Sequence, residues 1–263
     1  MGHHGQMHAQ PGVGISPDTP GPQDGGLREQ RPLPATSFRS RRSALSDAQR
    51  RTWERLWPEL GLSLPSAPGE ATDRPATPLD TDAWFGRRAP LVLEIGCGSG
   101  VSTLAMARQE PGIDVVAVEI YRRGLAQLLC GIEREGVGNI RLIRGNALDV
   151  LQHLIAPGSL TGVRVFFPDP WPKARHHKRR FLQPATVGLI ADRLLPGGVL
   201  HAATDHPGYA EQIAEVGDAE PRLGRVDPGT DLPISVVRPT TKYESKAHQA
   251  GSAVNEFVWK RSP

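Results

Sequence analysis

Leu91-Val92-Leu93-Glu94-Ile95-Gly96-Cys97-Gly98-Ser99-Gly100, running on into Val101-Ser102-Thr103-Leu104-Ala105-Met106-Ala107, decides the architecture. A continuous apolar run bounded by glycine reads as a parallel strand buried on both faces, and the Ala/Leu/Met segment after it as a helix. Three glycines at G-x-G-x-G spacing form the turn between them, where the missing Cβ lets the backbone approach a ligand. A dinucleotide fingerprint has G-x-G-x-x-G, with pyrophosphate on the helix N-terminus. Here Gly100 falls one position early, and an acid, Glu94, ends the strand. A carboxylate there repels pyrophosphate but pairs with the cationic amino acid end of S-adenosylmethionine, which favours a methyl donor. Cys97, inside the turn, reads as a small cleft-lining residue rather than a nucleophile.

The units that follow repeat the theme. Asp114-Val115-Val116-Ala117-Val118-Glu119 is a second strand ending in an acid at the spacing suited to ribose hydroxyls. An acid there also suits a helix start on dipole grounds alone. Residues 139–147 alternate as a third strand, after which Asn146 can meet an adenine edge through its amide, although Asn is common in turns for local reasons. Three βα units, each with a polar residue at the strand's carboxyl end, make a nucleoside crevice. A fourth strand over 163–167 leads into Phe166-Phe167-Pro168-Asp169-Pro170-Trp171-Pro172-Lys173-Ala174-Arg175-His176-His177-Lys178-Arg179-Arg180. Prolines stiffen the backbone around Asp169. The cations after it suit a polyanion, although most charge runs are solvated faces. Arg180 borders an apolar helix start at Phe181, and Trp171 suits stacking on a base as well as packing on the prolines.

The chain has 263 residues, 38% hydrophobic, a formal net charge of +3 and two cysteines, Cys97 and Cys130. That is enough for one α/β core. No apolar run nears the ~20 residues of a bilayer span, and no secretory leader is apparent. The cysteines lack metal or redox spacing, so a reduced cytoplasmic protein without a metal is expected. Residues 1–36, dense in Gly and Pro, are expected to be a disordered tail. Residues 37–87 read as a basic extension with one helix, its apolar stripe Trp53, Leu56, Trp57 and Leu60 docked on the core and its arginines outward, then a Pro-rich loop over about 63–84. Residues 88–263 carry the catalytic-type domain, with further strands over 198–204 and 256–261 and helices over 181–195 and 209–216.

Together these motifs resemble the bacterial single-chain tRNA (guanine-N7)-methyltransferases. The family's E-I-G-x-G-x-G turn, x-E-I strand end, P-D-P-W-P-K-x-R-H-x-K-R-R loop, A-T-D strand end and R-P-x-T-K-[FY]-E segment correspond to residues 94–100, 119–120, 168–180, 203–205 and 238–244. The resemblance covers about 37–261, and its middle loop and last segment are the specific parts. It implies an α/β, Rossmann-like class I methyltransferase fold, a seven-stranded mostly parallel sheet with helices on both faces. It further implies methyl transfer from S-adenosyl-L-methionine to guanine N7 at position 46 in the tRNA variable loop, with tRNA as partner and no obligatory protein partner. Glu94, Gly96, Gly98, Glu119, Asn146 and Asp169 would contact the donor, and Asp169 would be catalytic. Lys173, Asp205, Thr241, Lys242, Tyr243 and Glu244 would bind guanosine, and Arg175, His176, His177, Lys178, Arg179 and Arg180 the RNA. The chain departs from the family at Asn146, where many members have Asp, and in a looser stretch over 245–252. The alternatives are a base amino-methyltransferase, whose acid-Pro-Pro-aromatic order differs from this one, and a noncatalytic RNA-binding protein, which would not need all of the cofactor motif.

Overall fold

The computed structural model describes residues 44–65, 77–227, 229–240 and 253–263, all within the unit Pro32–Pro263. Its frame is β2 (Leu91–Ile95), α3 (Val101–Gln109), β3 (Asp114–Glu119), α4 (Arg122–Glu135) and β4 (Ile140–Arg144), preceded by α1 (Asp47–Leu60), β1 (Gly61–Ser63) and α2 (Thr81–Phe85). After it come α5 (Ala147–Asp149), which runs into a π-turn over Val150–Leu154, and β5 (Leu160–Phe166). A 3₁₀ helix (Ala174–Arg179), α6 (Pro184–Arg193), β6 (Leu194–Thr204), α7 (Pro207–Ala219), β7 (Leu223–Arg225) and β8 (Asn255–Arg261) complete the order.

The strands form one sheet in the order β1-β4-β3-β2-β5-β6-β8-β7, parallel from β1 through β6 and antiparallel at β8 and β7. Every residue of β2 and β5 is buried, as a strand covered on both faces demands. Alternation along β2 sends Leu91, Leu93 and Ile95 into one core with Val187 and Ile190 of α6 and Tyr209 and Ile213 of α7. Val92 faces the other core, with Leu125, Leu128 and Leu129 of α4. The polypeptide leaves β2 in one direction and crosses to β5 on its other side, so the crevice for a ligand opens at the carboxyl ends of these strands.

The sheet has eight strands where the resemblance implies seven. Neither β1 nor the short β7 is expected from the sequence; β1, whose three residues pair with Leu142, Ile143 and Arg144 of β4, stands at the entry to the stretch that reads as Pro-rich loop from Ser63. The short α2 lies in that same stretch, capped by Asp80, which accepts from the Ala83 N–H at 2.9 Å. α1 starts with a capping box, Ser46 with Gln49. Trp53 and Trp57 stack 4.0 Å apart while Arg50, Arg51 and Arg55 stay exposed. Among the described residues no helix is long and apolar enough to cross a membrane. The tail expected over 1–36 lies outside the described residues.

Candidate active site

Gly96, Gly98 and Gly100 all have positive φ (73°, 56° and 78°), so each glycine is used for its backbone freedom. The turn is fastened to β3: Gly96 N–H donates to the Val118 carbonyl at 2.9 Å, and Gly98 N–H to Glu119 Oε2 at 3.0 Å. Glu119 Oε1 accepts from the N–H groups of Ile120 (2.7 Å) and Tyr121 (3.1 Å). One carboxylate therefore staples the glycine turn to the end of β3. Asn146 follows β4 across Gly145 and caps α5, its Oδ1 accepting from Leu148 N–H at 2.9 Å.

These strand ends border a cavity of about 290 Å³. Gly96, Glu119, Asn146 and Asp169 line it together, as do Tyr121, Phe167, Trp171, Arg179 and Phe181. Glu94 and Gly98, also expected at the donor, do not border it. Glu94 is 3% exposed, with Oε1 accepting from the Thr103 hydroxyl at 2.9 Å and Oε2 buried without a partner. Burial pushes its carboxyl up from the ordinary 4.5, against the opposing pull of Arg164 and the Thr103 hydrogen bond. Burial, helped by Glu119 and Glu94, also holds the Cys97 thiol well above its usual range, which disfavours the thiolate that a nucleophile needs.

The loop after β5 is strained. Phe167 and Trp171 have φ of 51° and 43°, a region that non-glycine residues occupy at a cost of about 1–3 kcal/mol each. Between them Asp169 is exposed, its Oδ1 accepting from Trp171 N–H at 3.3 Å. Phe167 N–H donates to the Ala203 carbonyl at 2.8 Å, and the Arg238 guanidinium lies 4.9 Å from the Phe167 ring. Arg238 in turn pairs with Glu256 at 2.7 Å. Glu256 also meets His201 Nε2 at 3.1 Å, leaving Nδ1 buried and bare. Burial holds His201 below 6.5 despite that carboxylate, while the His201 and Arg238 contacts hold Glu256 below 4.5. A neutral imidazole donating from Nε2 to an ionised Glu256 satisfies both shifts.

Trp171 is 8% exposed, with Arg179 5.1 Å from its ring and His176 edge-on at 5.8 Å, so its indole is packed against its own loop. The cationic run splits. Lys173, Arg175 and Lys178 are exposed on or beside the 3₁₀ helix, His176, His177 and Arg179 are half-buried, and Asp205 is exposed at the end of β6. Arg180 turns inward and is 2% exposed, which corrects its assignment to the RNA. The adjacent Phe181-Leu182 was the signal, since an apolar pair ahead of α6 pulls its neighbour into the core. Thr241, Lys242, Tyr243 and Glu244 lie outside the described residues. Spacing did not reveal Tyr121, Phe167 and Phe181 as cavity walls or Arg238 as a cover over Phe166 and Phe167.

Comparison with known proteins extends this geometry. The family model described as "Putative methyltransferase" matches residues 88–257. The tRNA (guanine-N(7)-)-methyltransferase of Mycobacterium avium (strain 104) is 75% identical over 261 residues, covering 99% of this chain and all of that protein. The protein of the same name from Mycobacterium tuberculosis is 70% identical over 265 residues, covering 99% of this chain and 96% of that one. Both matches extend into the N-terminal tail, which therefore has counterparts in these relatives.

Proposed function

The chain belongs to the family of tRNA (guanine-N7)-methyltransferases, and from that premise we propose that its cleft joins S-adenosylmethionine to a tRNA guanine. The enzyme methylates guanine N7 in tRNA, at position 46 of the variable loop, and works in the cytoplasm. The observation that carries the reading is that Gly96, Glu119, Asn146 and Asp169 share one cavity beside a basic helix. The chemistry of this set fits the donor. A ribose diol needs an acceptor, which Glu119 offers, and an adenine edge needs the mixed donor and acceptor of Asn146. Glu94 Oε2, buried and unpartnered, is an acceptor still to be satisfied near the turn. No atom lies within 4 Å of where a Cβ of Gly96 would stand, so the turn leaves room for a ligand.

When bound, S-adenosylmethionine supplies an electrophilic methyl group on a positively charged sulfur. Guanine N7 has an in-plane lone pair, so no side chain has to remove a proton from it first. The protein's work is positioning and charge. Asp169 holds a negative charge at the cavity edge, where positive charge grows on the purine. Asp205 and Glu244 accept from the N–H edge that distinguishes guanine from adenine, with Lys173, Thr241, Lys242 and Tyr243 around the nucleoside. Arg175, His176, His177, Lys178 and Arg179 meet the RNA backbone.

Incubating the protein with unmodified tRNA and methyl-labelled donor, then digesting to nucleosides, tests this. Label in 7-methylguanosine, mapped to position 46, is the expected result; label in a methylated adenosine would overturn the substrate assignment.

A further inference from the structure

Arg180 is a permanently charged side chain placed where the RNA cannot reach it. Its Nε donates to the Pro170 carbonyl at 2.8 Å. Its Nη1 donates to Gln212 Oε1 at 2.7 Å and to the Gly208 carbonyl at 3.2 Å. The guanidinium carbon sits 4.8 Å from the Tyr209 ring, and the residue's own N–H closes the 3₁₀ helix on His177 at 3.0 Å. Gln212 and Tyr209 are themselves seated on Leu182: Gln212 Nε2 donates to its carbonyl at 3.2 Å, and the Tyr209 hydroxyl accepts from its N–H at 3.0 Å. Among the described residues no carboxylate lies within ion-pair reach of Arg180, so its charge is met only by neutral oxygens and a π face. Burying a cation this way is unfavourable compared with an apolar side chain of similar size. What the guanidinium adds is geometry, since its rigid fork holds several acceptors at fixed angles.

The acceptors are informative. Pro170 follows Asp169 directly and precedes Trp171, whose φ of 43° needs an external restraint. Gly208 lies three residues after Asp205, at the start of α7. One side chain thus ties the loop after β5 to the segment after β6. We propose that Arg180 is a positioning residue that fixes Asp169 relative to the Asp205 strand end, and so governs the methyl-transfer rate without touching RNA. This inference rests on the function proposed above and deepens it.

The test compares Arg180→Lys, Arg180→Met and Gln212→Ala with wild type. Three quantities are read: the salt dependence of tRNA binding, donor affinity by calorimetry, and the single-turnover rate with both ligands saturating. The saturated rate should fall about 10–100-fold in both Arg180 variants, the scale of a misplaced reacting group. Lysine should not rescue it, because a point charge lacks the fork. The salt slope should match wild type, whereas Arg175→Ala, exposed on the same helix, should lower it by roughly 0.7–0.9. A wild-type rate in Arg180→Lys, or a slope reduced as in Arg175→Ala, would overturn the proposal. If the Arg180 variants do not fold, Gln212→Ala decides: it unseats Nη1 from outside the loop, and a wild-type saturated rate there refutes the clamp. Failure of the underlying function looks different, since wild type itself would then form no 7-methylguanosine.

Discussion

Replacing Glu119 by Gln isolates the staple between the glycine turn and β3. The carboxylate accepts three backbone N–H groups, from Gly98, Ile120 and Tyr121, at 3.0, 2.7 and 3.1 Å. A Gln side chain has one acceptor oxygen. Facing it toward Ile120 and Tyr121 points its NH₂ at the Gly98 N–H, donor against donor; the opposite choice leaves two N–H groups unmet. Hydrogen bonds to an ionised group contribute about 1.5–3 kcal/mol each, and Glu119 is half-buried, so a loss of about 2 kcal/mol is the scale for the free protein. At roughly 2–4 °C per kcal/mol for a chain of this size, the melting temperature should drop about 4–8 °C. Donor affinity should fall about 10–100-fold as well, because in the proposed binding mode the same oxygens answer the ribose diol. Scanning calorimetry without ligand and titration calorimetry with S-adenosylmethionine separate the two effects. A folded variant with wild-type melting behaviour would refute the staple, and one with wild-type donor affinity would remove Glu119 from the binding site.

Asp169→Asn keeps the loop's shape but removes the charge proposed to face the growing purine cation; single-turnover rates should fall about 10²–10³-fold with tRNA affinity retained, and an unchanged rate would deny Asp169 a catalytic role. Arg175→Ala combined with Lys178→Ala should lower the log–log salt slope of tRNA binding by roughly 1.4–1.8, read from binding titrations across salt concentrations; a wild-type slope would make both residues a solvated face. Gly124→Ala puts a Cβ into the Gly98 carbonyl oxygen, so the glycine turn must shift, and donor affinity should drop while the salt slope stays put. His201 is held below 6.5, so the unfolded chain binds its proton first: stability is full above that pH and is lost as pH falls through it. Denaturation midpoints measured from pH 7.5 to 5 should decline less in His201→Gln than in wild type, and parallel curves would contradict the assignment.

Chemistry that repeats along a chain was readable from the residues. Short runs rich in Val, Ile and Leu and bounded by turn or polar residues read as covered parallel strands, so β2, β3 and β4 and the polar residues at their ends follow from pattern. β1 did not, because three residues carry no periodicity; Gly61–Ser63 is a strand only because β4 presents an open edge. β7 was invisible for the same reason. The boundaries of β6 shifted from 198 to Leu194 because pairing with Leu160 resumes across an irregular stretch at Leu195–Gly198 that looks like a turn.

Within the site, composition located the loop but not the direction each side chain takes. Arg175 and Arg180 are the same residue five positions apart, one exposed and one 2% exposed. Neighbours in space decide between them: α7 offers Arg180 two oxygens and an aromatic face, and no rule of spacing reports that α7 lies there. The positive φ of Phe167 and Trp171 is equally silent in sequence, since neither residue favours it. It persists because separate contacts hold the loop at both ends: the Ala203 carbonyl with Arg238 at Phe167, and Arg180 at Pro170. Asp169 lies between those anchors. Part of the loop's support, Ala203 and Arg238, lies far along the chain, and Arg180, though inside the motif, reads there as one more cation, which is why a motif search finds the acid and misses what holds it.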